Sequence, residues 1–425
     1  MSDATAARRA ALHILQAVRS GGTFQAARDQ VLPTLAARDR RLAYELAAGV
    51  LRRQAELDRR LRLRGADPRL HDVLRLGAYQ LAALTRVPAF AAVATSVDLA
   101  REAAGEGAAR YVNQALRKLQ RGSGLGARDP GRTHPSWLFE RWCRQFGPGE
   151  THRLITWNDT KPPLTLQPVR WSISELGSRL RDAGFGVTEA PFGAGLRVIP
   201  SPEARVPSPA RLPGYSEGGF VVQDPAHALV CRYAALPPGT LVYDACAAPG
   251  GKAVMLERAG ARVVAGDGRP ERIGRLLETT RRAGVAIRVT VADLLSAPFA
   301  PGTVAAVLVD APCSATGTMA RHPDARWRVT ARTIELAAGR QRALLEAAAT
   351  LLGPGGLLVY STCSLEPEEN RDIVTEFLAS HSEFVRAPVP AVVPAELLTP
   401  EGDLQSLPQR DGIDGAYAAR LARTR

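Results

Sequence analysis

Leu241-Val-Tyr-Asp-Ala-Cys-Ala-Ala-Pro-Gly-Gly-Lys252 begins as an apolar run, breaks into a glycine turn and leads into a stretch with helical spacing. A strand ending in such a turn brings backbone N–H groups and a helix N-terminus close to a polar or anionic ligand group. Two nucleotide motifs are excluded. A P-loop needs Gly at 246 and Ser or Thr at 253, where Cys246 and Ala253 stand, and the GxGxxG spacing is absent. Neither ATP nor NAD is the expected ligand.

Downstream, apolar runs alternate with helical stretches. The expected strands are Leu241 to Ala245, Arg262 to Gly266, Ile287 to Val291, Ala305 to Val309 and Leu357 to Ser361. Runs apolar on both faces, alternating with helices, imply a mainly parallel sheet covered by helices, with ligands at the carboxyl ends of its strands. Asp267, Asp293 and Asp310 stand at the ends of the second, third and fourth strands. An acid after the second strand can accept ribose hydroxyls, although Asp also caps turns and helices. Asp310-Ala-Pro-Cys-Ser-Ala-Thr-Gly317 follows the fourth strand and Tyr360-Ser-Thr-Cys-Ser364 ends the fifth, so Cys313 and Cys363 fall at one edge of the sheet. Two thiols there, with no His or further Cys at ligand spacing, point to covalent chemistry and to no metal. Cys143 and Cys231 read as inert small residues.

Upstream, residues 1–122 read as a helical domain, with Leu12, Leu15 and Val18 on one helix that stops at Gly21, and Asp39 as a possible cap of the next. Further amphipathic runs cover Leu70 to Leu84, Ala91 to Ala103 and Ala109 to Leu119. Breakers mark a linker over 123–135, a small α+β module is expected over 136–236, and the α/β domain fills 237–425. The net charge is +13, and residues 1–122 carry 21 Lys and Arg against 11 Asp and Glu. That excess points to a polyanionic partner. The five cysteines are widely spaced. No run reaches the roughly 18 apolar residues of a membrane span, and the start lacks a signal-peptide block, so a cytoplasmic protein is expected.

Three stretches, DACAAPGGK, DAPCSATGTMARHPDARW and YSTCSLEPEEN, resemble in combination the RNA cytosine-5 methyltransferases of the Nol1/Nop2/Sun family. Arg40-Arg-Leu-Ala-Tyr-Glu-Leu-Ala-Ala-Gly-Val-Leu-Arg52, Leu76-Gly-Ala-Tyr-Gln-Leu81, Arg86-Val-Pro88 and Tyr111-Val-Asn-Gln-Ala-Leu-Arg117 resemble the NusB-like RNA-binding domain of the family's bacterial ribosomal RNA branch. The resemblance implies an all-α NusB-like domain, a small α+β module and a Rossmann-like class I methyltransferase domain. It implies a monomer that methylates C5 of a cytosine in 16S ribosomal RNA, free or early in assembly. Cys246, Ala247, Ala248, Pro249, Gly250, Gly251 and Lys252 would form the loop around S-adenosyl-L-methionine. Asp267 would hold its ribose, Asp293 its adenine side, and Arg272 and Asp310 would complete the cofactor site. Cys363 would be the nucleophile, Cys313 would aid product release and Asp310 would activate the base.

Cytosine C5 is a weak nucleophile until a thiolate adds to C6 and pushes electron density onto it. Pro312-Cys313 also fits the Pro-Cys nucleophile of the DNA cytosine methyltransferases, so the two thiols compete for that role. The chain departs from the family at Gln167-Pro168-Val169, where relatives carry an RNA-contacting Arg-x-Asn, at Ala253, and at Ala416-Tyr417. Competing readings are an enzyme acting on transfer RNA or another ribosomal RNA site, and a non-catalytic NusB-like RNA-binding factor.

Overall fold

The computed structural model describes residues 5–63, 67–121, 133–200 and 208–424. The breaker-rich stretch expected as a linker lies, over 123–132, outside the described residues. Compactness divides the chain into two units: Met1–Thr160 with Met319–Arg328, and Lys161–Thr318 with Val329–Arg425.

The first unit is helical, with helices at Ala6–Arg19, Phe24–Val31, Ala37–Leu61, His71–Ala83, Ala89–Arg121, Ser136–Phe146 and Pro148–Asn158. Apolar positions three and four apart on the first five helices meet in one core around Ile14, Leu46, Leu57, Leu74 and Val112. Gly21, at φ 94°, follows the first helix as its spacing implied. Asp39 is no cap: the third helix begins at Ala37 and Asp39 lies in its first turn, where an acid faces the positive end of the helix dipole. The runs Ala91 to Ala103 and Ala109 to Leu119 belong to one helical span whose backbone breaks at Ala104 and Gly105.

A distant segment completes this unit. The turn Ala325–Arg328 places Arg326 at 0% exposure, 2.7 Å from Asp159 and 2.8 Å from the Asn158 carbonyl. Trp327 Nε1 donates to the Leu51 carbonyl at 2.7 Å, and Arg52 donates to that of Ala320 at 2.9 Å.

The second unit holds two sheets. The smaller is antiparallel in the order β2-β3-β1-β4, from Leu164–Pro168 (β1), Gly186–Glu189 (β2), Leu196–Ile199 (β3) and Phe220–Val222 (β4). Helix Ile173–Asp182 covers it, packing Leu176 and Leu180 on Leu166, Val198 and Phe220. Gln167 faces inward at 1% exposure and donates to the Ala194 carbonyl at 2.9 Å. This departure from the family pattern is a structural bond here.

The larger sheet runs β10-β12-β9-β8-β5-β6-β7, with β11 paired to β12. Its strands are Leu241–Asp244 (β5), Arg262–Asp267 (β6), Arg288–Val291 (β7), Val304–Asp310 (β8), Leu352–Thr362 (β9), Phe384–Arg386 (β10), Leu404–Ser406 (β11) and Ala416–Arg423 (β12). The five expected strands are all present, and β9-β8-β5-β6-β7 are parallel. Their pleat explains the uninterrupted apolar runs. Val307, Val309, Leu358 and Tyr360 face one core, while Ala306, Leu308 and Val359 face the other. Beyond β9 the alternation gave no warning of β10 to β12, which add an antiparallel edge. The chain leaves β5 towards β6 and β7, then returns to β8 on β5's other side, so the strand order reverses between β5 and β8. That switch point is where a sheet of this kind opens a ligand crevice.

The Arg326–Asp159 pair is buried, so removing one partner strands a charge away from water. Arg326→Met is expected to destabilise the helical unit by about 3–5 kcal/mol. The reading is an earlier urea transition and faster amide exchange across Pro148–Asn158; an unchanged transition would make the pair incidental.

Candidate functional site

At the end of β5 the chain turns through Ala245 to Gly250 and enters helix Gly251–Arg258. Gly250 has φ 104°, and a Cβ there would sit 2.8 Å from Leu276, so the turn closes only with glycine. The Ala247 N–H donates to the Gly266 carbonyl at 2.8 Å, which lays the loop across the end of β6. Pro249 completes the turn through a cis peptide bond.

Asp267 ends β6 beside this loop. One carboxylate oxygen accepts from the Arg269 N–H at 3.0 Å; the other accepts from the Ala248 N–H at 3.3 Å and pairs with Arg272 at 3.1 Å. Arg272 also donates to the Ala248 carbonyl at 2.6 Å and so clamps the loop to the acid. Asp293 accepts from the Leu295 N–H at 3.1 Å and caps a short turn, while its backbone packs on Gly268. The structure thus brings Ala247, Ala248, Asp267 and Arg272 into direct contact, with Asp293 bordering the Asp267 turn.

Lys252 points from the first turn of its helix to Asp310 at the end of β8, with Nζ 2.7 Å from one carboxylate oxygen. Ser361 on β9 donates to the other oxygen at 2.9 Å. Burial alone raises the Asp310 carboxyl, but the Lys252 ammonium and His227, with the Lys252 and Ser361 hydrogen bonds, outweigh it and hold the group below the usual carboxylate range. Burial likewise lowers Lys252, and Asp310 more than restores it, so the lysine stays charged. Asp310 is therefore a carboxylate and supplies no proton of its own.

The two strand-end cysteines meet. Cys313 Sγ lies 3.2 Å from Cys363 Sγ and accepts from the Cys363 N–H at 3.4 Å. The Cys313 thiol is held well above its ordinary range, first by its hydrogen bond with Cys363 and then by burial. Glu369, at 0% exposure, accepts from the Ser314 N–H at 2.9 Å and from its hydroxyl at 2.8 Å. Gln341 donates to the Pro312 carbonyl at 3.0 Å. Gly317 donates to the Cys363 carbonyl at 3.0 Å, and a Cβ on it would fall 2.9 Å from that oxygen. The two thiol-bearing turns are thereby locked face to face.

Cys246 and Cys231 differ. Burial pushes each thiol up to about 12, and for Cys246 the carboxylates of Asp244, Asp310 and Asp267 add to the rise. Both remain thiols at neutral pH. Residues the sequence reading missed are His227, Ser314, Gln341, Ser361 and Glu369. Ser361 and Glu369 lie inside quoted motifs, where a signal existed; His227 and Gln341 sit on helices with no local mark.

Residues 234–422 match the family model described as 16S rRNA methyltransferase RsmB/F. Residues 5–121 match the NusB family, and residues 134–199 a ferredoxin-like domain of RsmF/B-like methyltransferases. The chain is 34% identical to the probable ribosomal RNA small subunit methyltransferase B of Synechocystis sp., over 90% of this chain and 91% of that one. It is 34% identical to the ribosomal RNA small subunit methyltransferase B of Vibrio cholerae, over 94% and 92%. Among solved structures, PH0851 superposes with a TM-score of 0.82 at 24% identity, covering 99% of both chains. NSun6 from Pyrococcus horikoshii with SFG gives 0.59 at 20% identity, over 68% of this chain and 98% of that one. At those identities the two structures share the fold.

Asp244 carries a test of the site's electrostatics. It is fully buried, both oxygens lack a well-formed hydrogen bond, and burial raises it to about 7, with Asp310 adding and Lys252 opposing. An unfolded aspartate titrates near ~3.9. Folding therefore takes up a proton between those values, and stability from this group is lost as pH rises from about 4 to about 7. Asp244→Asn lacks that loss, so its melting temperature relative to wild type is expected to climb from pH 5 to pH 8. A pH-independent difference would place the titration elsewhere.

Proposed function

The chain belongs to the RsmB/F family of ribosomal RNA small subunit methyltransferases, and from that premise we propose that it methylates carbon 5 of a cytosine in 16S ribosomal RNA through a covalent adduct with Cys363. The observation that carries the reading is the 3.2 Å approach of Cys313 and Cys363 at adjacent strand ends, beside the Lys252–Asp310 pair. S-adenosyl-L-methionine, when bound, supplies an electrophilic sulfonium methyl. The residues fit it: Asp267 keeps acceptor capacity for ribose hydroxyls at the end of β6, and the Gly250 turn, packed on Leu276, holds the loop backbone beside it. Ala247, Ala248, Gly251 and Arg272 line that turn, and Asp293 borders the expected adenine side.

Cys363 attacks C6 as the thiolate, since the thiol is a poor nucleophile. Cys313, held protonated, is the poorer candidate for attack and the better hydrogen-bond donor to its neighbour's sulfur. As C6 accepts the sulfur, negative charge builds on the ring at N3 and C5. The Asp310 carboxylate accepts from the exocyclic amino group and the Lys252 ammonium donates towards N3, which stabilises the adduct. C5 then takes the methyl group. A water molecule takes the C5 proton, the C5–C6 double bond re-forms as the C6–S bond breaks, and Cys363 leaves as the thiolate while Cys313 donates a hydrogen bond to it. The target base must be unstacked for C6 to be reached. The basic helical domain, which matches the NusB family, supplies the charge to hold the RNA.

Cys363→Ala and Cys313→Ala separate the two thiols. The first is expected to abolish methyl transfer to small-subunit RNA. The second is expected to accumulate a protein–RNA adduct that survives denaturing electrophoresis. Adduct in the first and none in the second would exchange the two roles.

A further inference from the structure

Lys252 has three N–H donors and no acceptor, so the partners of its ammonium can be counted. One hydrogen goes to Asp310 at 2.7 Å. A second meets Nδ1 of His227 at 3.1 Å. His227 stands in the first turn of helix Pro225–Ala234, which precedes the methyltransferase sheet and is capped by Asp224, whose carboxylate accepts from the Ala226 N–H at 3.0 Å. The same Asp224 oxygen accepts from the Asp414 N–H at 3.0 Å and so ties that helix start to the segment before β12. The helix is thus fixed at the end that carries His227. Because the ammonium can only donate, Nδ1 must be the acceptor, and the ring proton of a neutral His227 sits on Nε2.

An ammonium held by one strong partner still turns about its Cε–Nζ bond. Two partners in different directions, Asp310 from the sheet and His227 from the helix, stop that rotation and set the direction of the third N–H. Cys363 is among the groups that favour the charged form of Lys252, so the catalytic cysteine lies within electrostatic reach of it. Lys252 keeps 9% of its side chain exposed and Asp310 keeps 32% of its own. The pair therefore keeps limited access, mainly at Asp310.

We infer that His227 is a positioning residue: through Nδ1 it fixes the rotation of the Lys252 ammonium so that the third N–H is aimed at the ring of the target base. The inference rests on the cytosine-5 reading above. In this role His227 touches no reacting atom and acts through Lys252.

The test uses the full-length chain, S-adenosyl-L-methionine and small-subunit ribosomal RNA, with the variants His227→Asn, His227→Gln and His227→Ala. The side-chain oxygen of Asn falls close to the position of Nδ1, whereas the Gln amide falls nearer that of Nε2. His227→Asn is expected to keep kcat within about threefold of wild type, while His227→Gln and His227→Ala lose roughly tenfold or more, the scale of a lost hydrogen bond to a charged group. KM for RNA, cofactor affinity and melting temperature should stay within about twofold or a few degrees across the set. A merely structural histidine would move the melting temperature and leave Asn no better than Ala; that pattern, or an Ala variant as fast as wild type, overturns the inference. The wild-type product mapped in the same reactions tests the underlying reading separately. Methyl found on an atom other than C5 would overturn that reading together with the aim given to the third N–H, whereas a C5 product with an unimpaired Ala variant overturns the positioning role alone.

Discussion

Lys252 and Asp310 meet at 2.7 Å where the parallel sheet changes direction, and the rest of the site depends on that ion pair. Burying two charges costs several kcal/mol each, and their attraction offsets this only when further hydrogen bonds satisfy both partners. Here Ser361 donates to the second oxygen of Asp310 and His227 Nδ1 accepts from a second N–H of Lys252. The completed pair thus needs the loop after β5, the end of β8, β9 and the helix before β5 in register at once. Apolar packing along the strands permits this strand order, but a register slip would cost only some contacts. A slip at Asp310 would leave a charge bare. The pair therefore specifies the register at which the two thiol-bearing strand ends meet.

The parallel core was legible because burial on both faces leaves a mark that little else imitates. The runs ending at Asp244, Asp267, Asp310 and Thr362 are apolar with little alternation, while Arg288-Val-Thr-Val291 at the sheet's edge alternates. The antiparallel edge left no such mark. β10 and β11 are three residues each, and β12, Ala416–Arg423, mixes Ala and Arg in a way that also suits a helix. Its identity as a strand comes from pairing with β9 over Tyr417 to Ala422, a long-range contact with no local trace. β2 and β4 in the small sheet were missed for the same reason. Asp39 failed as a cap because the helix starts two residues earlier than its first acid.

The acids at the strand ends show why residue type alone leaves roles open. Asp293 acts as a cap, the ordinary alternative for an aspartate in that place. Asp267 does two things, receiving two backbone N–H groups and an arginine while standing at the mouth of the crevice. Those donors hold its carboxylate in one orientation, and a fixed acceptor binds hydroxyls better than a mobile one because its ordering is already done. Capping and ligand binding are compatible in such a residue. Asp244, which ends β5, has only a backbone contact from Cys246, too little to offset its burial, and titrates far from its usual range. A buried carboxylate stays anionic at neutral pH only where its surroundings replace the water it has lost, and those donors become visible only when the chain is folded.

The same reasoning orders the two cysteines. In the sequence each follows a strand and each fits a nucleophile's place, so nothing in the residues themselves separates them. Folding brings the sulfurs within 3.2 Å and breaks the symmetry through their neighbours. The turn bearing Cys313 packs against Glu369, Gln341 and Tyr360, and the carboxylate of Glu369 disfavours a second negative charge close by. The Cys363 side of the pair faces the Lys252 ammonium, which feels its charge. Negative charge is thus disfavoured on the Cys313 sulfur, which is buried and stands near the Glu369 carboxylate. That asymmetry between neighbours, which the residues themselves do not carry, is the ground for the division of roles proposed above.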